Sequence, residues 1–359
     1  MSAIEILRHD HKELQFGPVT RGAQMYFSHL FILPIAISIC VSAPTTPEKL
    51  FPQSSKPADE QKRVSPPAGE NEEQETRFYG NAHSYIDEPL SRLRAILPQL
   101  TGLKVQDNPE PLTDLLSKVA SKSFELAQKV PNLISDEMVT ENRWLASQPK
   151  KAVCLACPEP PPMAQRVEKY NYIILAQGHL DNRIVLEEYR TDRNGKPVAP
   201  GAAPRFQGFS MFWVIFSESH LPESRFRYLG QQKLSGHETF VVAFAQVPGS
   251  IKEPARIVTA KSTIPMLLQG VAWIDGVDFR ILQLHMDLLA PQPQIGYLKQ
   301  TSDLLYGSAR IAALNLDVWV PLTVDVETDD GGELWQEQHQ YSKYRLYEAK
   351  SRIIVNPEN

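Results

Sequence analysis

Two cysteines with two residues between them, Cys154 and Cys157, form the sharpest chemical motif of this 359-residue sequence. Thiol redox chemistry needs such a pair at a helix N-terminus, where the helix dipole lowers the thiol pKa, but the prolines between Pro158 and Pro162 oppose a continuing helix. A zinc site needs two further ligands, and the remaining cysteine, Cys40, lies in a distant apolar segment. We interpret the pair as a local disulfide or as inert loop thiols, and we predict no metal site.

Three other groups could support hydrolysis. Ser210 lies in Gly-Phe-Ser-Met-Phe, which lacks the second glycine of a nucleophile elbow. Glu337 with His339, and His179 with Asp181, are spaced to share one face of a strand, where each pair could bind a metal or exchange protons. The simpler interpretation is a solvated polar face. The sequence contains no HExxH, Walker or dinucleotide motif, so we predict no catalytic residue, no cofactor and no enzyme, with an envelope hydrolase as the third alternative.

A mostly apolar stretch from Tyr26 to Ala43 precedes a Pro-rich polar run that begins at Pro44. Basic residues before the stretch place that end in the cytoplasm and the rest of the chain outside it. Ala43 is the small residue that signal peptidases need, whereas Pro44 disfavours the cut. Residues 1–43 are therefore predicted to be a signal peptide or an N-terminal membrane anchor, and the protein to be exported, to the periplasm or the outer face of the inner membrane.

The composition divides the remainder of the chain into two parts. Residues 44–87 are rich in Pro, Glu, Gln, Lys and Ser, which bury too little surface to offset chain entropy, so they are predicted to form a disordered linker. Residues 88–359 are predicted to hold a helical lead-in and a β domain. The net charge is −5, with Lys and Arg dispersed along the chain, which argues against a nucleic-acid partner.

Hydrophobic spacing predicts an α+β fold. Leucines recur at three and four residues between Glu88 and Val130, which indicates two helices, and Pro98 should end or kink the first. From Gln165 onward apolar residues alternate between turn pairs such as Ser-Gly and Asp-Gly, which is typical of antiparallel hairpins. Helical spacing from Ser210 to Phe216 interrupts this pattern and suggests a short helix or lid. We expect a large curved antiparallel sheet with helices covering one side.

Four hairpin segments carry a family resemblance. They are Gly236-His-Glu-Thr-Phe-Val-Val-Ala-Phe244, Gly270-Val-Ala-Trp-Ile-Asp275, Phe279-Arg-Ile281 and Val318-Trp-Val-Pro321. In order and spacing they resemble periplasmic lipoprotein carriers of the LolA type and the related RseB-type sensor domains, over about residues 113 to 350. In particular, the chain looks like a group of exported proteins from acidobacterial genomes that share a Val-Pro-Asn-Leu motif like that of Val130 to Leu133.

The resemblance implies an unclosed β-barrel around an apolar cavity, with helices as a lid, that binds an acyl chain or a hydrophobic protein segment and is not an enzyme. The apolar stripes and the lid predict the ligand-binding residues Met211, Phe212, Ile215, Phe216, Phe226, Tyr228, Phe240, Val242, Phe244, Val320, Leu322 and Val324. The alternative is a membrane-tethered structural or interaction domain whose barrel is filled by side chains. An internal apolar pocket would favour the carrier, and a tightly filled barrel the interaction domain.

Overall fold

The computed structural model describes residues 24–26, 68–105, 111–145, 161–180, 183–198, 206, 208–251, 255–258 and 263–348. Three short strands, β1 (Gln24–Tyr26), β7 (Ala255–Val258) and β8 (Thr263–Met266), form a small antiparallel sheet. The remaining strands form a ten-stranded sheet: β2 (Leu133–Leu145), β3 (Ala164–Leu180), β4 (Arg183–Thr191), β5 (Ser224–Leu234), β6 (His237–Gln246), β9 (Leu268–Asp275), β10 (Ile281–Leu288), β11 (Lys299–Ile311), β12 (Leu316–Asp329) and β13 (Glu333–Leu346).

The order of strands across the large sheet is β4-β3-β2-β13-β12-β11-β10-β9-β6-β5, and every neighbouring pair is antiparallel. Tight turns with residues suited to positive φ join several pairs, as at Ser235 and Gly236 between β5 and β6. The two end strands, β4 and β5, are not paired with each other. The predicted α+β fold with an unclosed antiparallel sheet is therefore confirmed.

Alternation along the strands divides the sheet into two buried faces. Val242 on β6 belongs to the main hydrophobic cluster, whereas its neighbours Val241 and Ala243 belong to a second cluster. Because successive side chains of a strand point to opposite faces, the two clusters lie on opposite sides of the sheet. We call the side of Val242 the inner face and the side of Val241 the outer face.

Helices cover both faces. The longest, α3 (Leu112–Gln128), places Leu115 and Val119 in the inner cluster. The short helix α2 (Leu90–Ile96) and the 3-10 turn Pro98–Leu100 place Leu93 and Leu100 in the outer cluster, against Trp273. Pro98 ends α2 as the sequence predicts. The structure thus adds outer-face cover to the helical cover expected on one side.

The folded body begins earlier than the sequence predicts. Helix α1 (Ala68–Tyr79) lies inside residues 44–87, the segment expected to be disordered. Tyr79 is 1% exposed and its hydroxyl donates to the carbonyl of Pro265, while Glu75 accepts a hydrogen bond from the backbone of Gly249. These contacts anchor a segment whose composition alone is typical of a linker. The linker prediction is wrong for residues 68–87, where Tyr85 is also buried, and stands untested for residues 44–67.

Several elements lack a sequence prediction or lie outside the described residues. Strand β2 and the hairpin of β7 and β8 have no counterpart in the sequence analysis. Tyr26, the first residue of the predicted export segment, is the last residue of β1, and residues 27–43 lie outside the described part. Among the described residues, no helix combines the length and the apolar composition needed to cross a membrane.

Candidate functional site

The inner face is covered by a 3-10 segment, Phe209–Phe216, which we call the plug. Its sequence, Phe-Ser-Met-Phe-Trp-Val-Ile-Phe, is apolar except for one serine. Phe209 and Phe216 are 0% exposed and Phe212 is 1% exposed, while Trp213 and Val214 are partly buried. A segment outside the β-strands thus supplies three of the most deeply buried aromatic rings of the core.

The plug reaches from one half of the inner face to the other. At its start, the Phe209 ring lies edge-on to the imidazole of His339 on β13, with 4.9 Å between ring centroids. At its end, the Phe216 ring lies 5.4 Å from that of Phe226 on β5 and 5.6 Å from that of Phe244 on β6. The plug therefore spans most of the width of the sheet.

Main-chain hydrogen bonds fix the start of the plug. Gly208, which precedes it, has φ of 98°, a left-handed conformation that favours glycine. The Glu188 carboxylate on β4 accepts hydrogen bonds from the N–H groups of Gly208 (2.8 Å), Phe209 (3.2 Å) and Ser210 (2.6 Å), and from the Ser210 hydroxyl. The Tyr306 hydroxyl donates to the carbonyl of Phe209 at 3.1 Å. Glu188 thus satisfies donors that a helix start leaves without intrahelical partners.

Beneath the plug, β2, β4 and β13 carry a buried charge cluster of Glu137, Arg190, Glu337 and His339. Arg190 donates two hydrogen bonds to Glu137, from Nε at 2.6 Å and from Nη2 at 2.8 Å. The third donor, Nη1, binds the carbonyl of Phe206 at 2.7 Å, just before the plug. His339 Nδ1 lies 2.9 Å from Glu137, and its Nε2 lies 3.4 Å from Glu337.

Burial and pairing compete in setting the pKa values of this cluster. Burial raises the pKa of Glu137, but the Arg190 guanidinium and the hydrogen bond from His339 outweigh it and hold that pKa at about 2. Burial lowers the pKa of His339, but its hydrogen bond to Glu137 and the nearby Glu337 carboxylate outweigh it and hold that pKa above its ordinary value of 6.5. With His339 protonated, the Glu137 carboxylate lies between two cations, Arg190 and His339, in a fully buried site.

The inner face is consequently amphipathic. The strands from β12 to β5 present apolar side chains such as Val324, Leu304, Leu284, Ala272 and Val242. The strands β4, β3, β2 and β13 present the charge cluster together with Tyr172 and Tyr341, whose rings are 4.7 Å apart. The Tyr341 hydroxyl is buried and has no hydrogen-bond partner. One half of the face suits an apolar occupant and the other can hold polar groups.

Two small cavities adjoin the plug. One, of about 20 Å³, lies between α3 and the plug and is lined by residues including Ala127, Ser210 and Trp319. The other, of about 30 Å³, lies near Phe212, Ile215 and Leu268. A single water needs about 10 to 15 Å³ measured in this way. Neither cavity could hold an acyl chain while the plug is in place.

The structure brings most of the predicted ligand-binding residues together. Phe212, Ile215, Phe216, Phe240, Val242, Phe244, Val320 and Val324 are buried in the inner cluster, and Phe226 and Tyr228 are partly buried against it. Leu322 is half-buried and lies at the β-bulge where the pairing of β11 with β12 shifts, outside the inner cluster. The side chain of Met211 lies outside the described residues. The plug phenylalanines, expected at an exposed lid, are instead core residues.

The predicted polar pairs fare differently. Glu337 and His339 share one strand face as expected, but they are fully buried, so their interpretation as a solvated face is wrong. The Ser210 hydroxyl donates to Glu188, which is a carboxylate and not a general-base histidine. The side chains of His179 and Asp181, and both Cys154 and Cys157, lie outside the described residues. In the part of the chain that is described, no group of three or more acidic, histidine or cysteine residues could hold a metal ion.

Three charged residues of the site were missed by sequence reasoning. Glu137, Glu188 and Arg190 each occupy the phase of their strand that otherwise carries buried side chains such as Leu133, Val139 and Leu186. A charged residue at a position of the strand that otherwise faces the core could have indicated a buried charge, since successive side chains of a β-strand point to opposite faces. For Glu137 this indication could not be used, because β2 was not predicted from the sequence.

A second polar cluster lies on the outer face. His285 on β10 lies 2.8 Å from Asp303 and 3.4 Å from Asp287, and the amide of Gln99 lies 3.3 Å from the same ring. The Tyr85 hydroxyl donates to Asp287. Burial lowers the pKa of His285, but its hydrogen bonds to Asp287 and Asp303 outweigh burial and raise that pKa to about 9. These contacts hold the turn after α2 against the sheet.

The comparisons with known proteins find solved structures of low sequence identity. No protein-family profile and no curated protein matches the sequence. Similar solved structures include a LolA superfamily protein from Nitrosomonas europaea, with 10% identity, 66% of this chain and 94% of the other covered, and a TM-score of 0.32. A DUF1329 family protein from Desulfovibrio piger has 11% identity, coverage of 67% and 95%, and a TM-score of 0.33.

A third structure is the Mycobacterium tuberculosis lipoprotein LppX, with 11% identity, coverage of 65% and 95%, and a TM-score of 0.22. TM-scores this low assign no family and no function to this chain. The function has to be inferred from the contacts of the plug and of the face that it covers.

Proposed function

We propose that this protein is a non-enzymatic protein of the cell envelope that binds a lipid or a hydrophobic protein segment on the inner face of its half-barrel. The proposal rests on one observation. The plug, an apolar and aromatic segment outside the β-strands, covers most of the width of the inner face. Binding replaces the plug with the ligand. The inner face of the sheet, which we call the wall, packs against either one.

Displacement of the plug leaves the sheet intact. The strands hydrogen-bond to one another in an unbroken order from β4 to β5, and the plug adds no strand to that order. Backbone hydrogen bonds of the ladder therefore stay satisfied whether the plug is present or not. Opening breaks side-chain packing and a few hydrogen bonds that hold the start of the plug, made by Glu188, Arg190 and Tyr306.

Hydrophobic burial sets the energetic scale of this exchange. Each methylene of an acyl chain gains about 0.8 kcal/mol on burial, whereas each buried plug side chain contributes about 1.5 to 3 kcal/mol. An acyl chain of ordinary length can therefore compensate for the loss of several plug side chains. Affinity is expected in the micromolar range once association costs are included.

The envelope location rests on the apolar stretch from Tyr26 to Ala43 and on the basic residues before it. The non-enzymatic role is supported by the burial of the charge cluster on the inner face: the side chains of Glu137, Glu337 and His339 are each 0% exposed. Neither cavity beside the plug is lined by them.

A direct test is a titration of the purified full chain with a fluorescent fatty acid, combined with mass spectrometry of lipids that co-purify with it. Saturable binding at a stoichiometry near one, displaced by unlabelled fatty acid, would support the proposal. A chain that takes up no fatty acid, no phospholipid and no acylated or apolar peptide would contradict it.

A second candidate is an interaction domain without a ligand cavity, tethered through the N-terminal segment. The small volume of the two cavities beside the plug favours it. The two candidates differ in what the plug does: in the interaction domain it is permanent core, and no apolar ligand increases its exposure to solvent.

A further inference from the structure

The polar contacts of the plug are directed mainly at its backbone. Glu188 accepts hydrogen bonds from the N–H groups of Gly208, Phe209 and Ser210. In the opposite sense, Tyr306 donates to the carbonyl of Phe209, and Arg190 donates to the carbonyl of Phe206. The Ser210 hydroxyl supplies the one side-chain bond of this set.

Removal of the plug would leave these wall groups without partners. The Glu188 carboxylate would lose its N–H donors, and the Arg190 and Tyr306 donors would lose their carbonyl acceptors. Arg190 and Tyr306 are buried and Glu188 is half-buried, so an occupant that cannot replace these bonds binds at a disadvantage. An acyl chain has neither N–H groups nor carbonyls along its length, whereas a peptide backbone has both.

The side-chain contacts add a second requirement. The plug packs Phe209, Phe212 and Phe216 against the wall. Phe209 contacts His339 at one end, and Phe216 contacts Phe244 at the other. Aromatic rings prefer such tilted and edge-on contacts, which add to the gain from burial. The wall is therefore shaped for aromatic side chains on a short helical turn.

We infer that the half-barrel binds an apolar, aromatic-rich segment of a partner protein through that segment's backbone, and that the plug is its internal stand-in. This inference rests on the proposed function, because the ligand must enter by displacing the plug. It selects a protein segment over a lipid as the ligand. The recognising groups are Glu188, Arg190 and Tyr306, with Phe226 and Phe244 at the far end of the wall.

The inference is tested with a fluorescently labelled peptide that carries the sequence of residues 206–216 between solubilising lysines. Fluorescence anisotropy measures its binding to the full chain, beside the fluorescent fatty acid. A second peptide is N-methylated at the positions equivalent to Phe209 and Ser210, which removes two N–H donors to Glu188. A control peptide carries the two methyl groups on the flanking lysines. The parent and control peptides should bind equally, and the N-methylated peptide at least about tenfold more weakly.

A variant separates the two ligand classes. In Glu188→Gln one acceptor oxygen becomes an NH2 group, so some N–H donors of the plug lose their acceptor and the remaining hydrogen bonds are no longer charge-assisted. The plug and a bound peptide both lose these bonds, whereas a fatty acid makes none of them, so the affinity for the fatty acid relative to that for the peptide should rise by up to about tenfold. Glu187→Gln, on the same strand but on the opposite face, is the matched control and should change neither.

The outcomes distinguish this inference from the proposed function. Binding of the fatty acid without the parent peptide would overturn the inference and leave the proposed function standing. Equal binding of the parent and N-methylated peptides would also overturn it, since backbone recognition would then be absent. If neither the fatty acid nor any peptide binds, the proposed function fails and the inference fails with it.

Discussion

The imidazole of His339 lies edge-on against the ring of Phe209, with 4.9 Å between the ring centroids. This contact joins the buried charge cluster to the first residue of the plug. Arg190 makes a second connection through the carbonyl of Phe206. The buried charge cluster therefore contacts the plug directly through His339 and contacts the residue just before it through Arg190.

The first prediction concerns pH and His339. Glu137 and Glu337 face its ring nitrogens, Arg190 opposes its charge, and Tyr341 stacks beside it. Because its folded-state pKa is raised, its stabilising effect is complete below about pH 6.5 and is lost as pH rises through that raised value. Urea unfolding from pH 6 upward should show a declining free energy of unfolding.

The variant His339→Gln should be less stable than the parent at pH 6 and should show a smaller decline at higher pH. His83→Gln, which replaces an exposed histidine, is the control and should keep the parental decline. A His339 variant with the full parental pH dependence would show that the cluster does not titrate through this ring.

The second prediction concerns the Glu137 and Arg190 pair. Replacing either residue alone, as Glu137→Met or Arg190→Met, leaves the other charge buried without its main partner and should cost about 3 to 5 kcal/mol of unfolding free energy. The double variant Glu137→Met with Arg190→Met should cost clearly less than the sum of the single changes. Equilibrium urea denaturation measures all three, and strict additivity would contradict a direct buried interaction.

The third prediction separates the plug from the wall. Phe216→Ala removes an anchor of the plug and should increase the affinity for a fluorescent fatty acid, because the competing segment is held less tightly. Phe244→Ala removes part of the wall and should lower affinity and cost about 3 to 5 kcal/mol of stability. If both changes reduce binding alike, the plug is part of the binding surface and does not compete with the ligand.

The fourth prediction concerns the outer face. His285 has a pKa raised to about 9 by Asp287 and Asp303, with Gln99 and Tyr85 completing the cluster. Its contribution is present below about pH 6.5 and is lost as pH rises through about 9, by at most on the order of 3 kcal/mol. The stability difference between the parent and His285→Gln should shrink across that range. A constant difference would contradict it.

Much of the fold follows from local patterns in the sequence. Alternation along Val318, Val320, Leu322, Val324 and Val326 predicts a strand with one buried face, which is correct except at Leu322, where a β-bulge interrupts the pattern. Turn residues such as Ser235 and Gly236 locate the hairpins. Helix α1 escapes prediction because only Phe78 and Tyr79 at its end provide apolar anchors, and the segment around them is highly charged. Its position is decided by tertiary contacts such as that of Tyr79 with Pro265.

The site was predictable only in its apolar half. Phe212, Phe216 and Phe244 stand out as stripes of large side chains, so their meeting could be expected. The contact between Glu137 and His339 joins residues 202 positions apart, across the pairing of β2 with β13. Without knowledge of that pairing, Glu337 and His339 are expected on a solvent-exposed face of a strand. Burial of charge is a property of strand order, which a single sequence specifies weakly.

The most direct test of the account is hydrogen–deuterium exchange of the amides at positions 208 to 210, measured by mass spectrometry with and without saturating ligand, either the fluorescent fatty acid or the plug-sequence peptide. These N–H groups are held by Glu188 in the closed state. Displacement of the plug by either ligand should speed their exchange, while amides of β6 and β9 stay protected. If a ligand binds and these amides exchange at an unchanged or slower rate, the plug stays in place, and the claim that it is displaced is wrong.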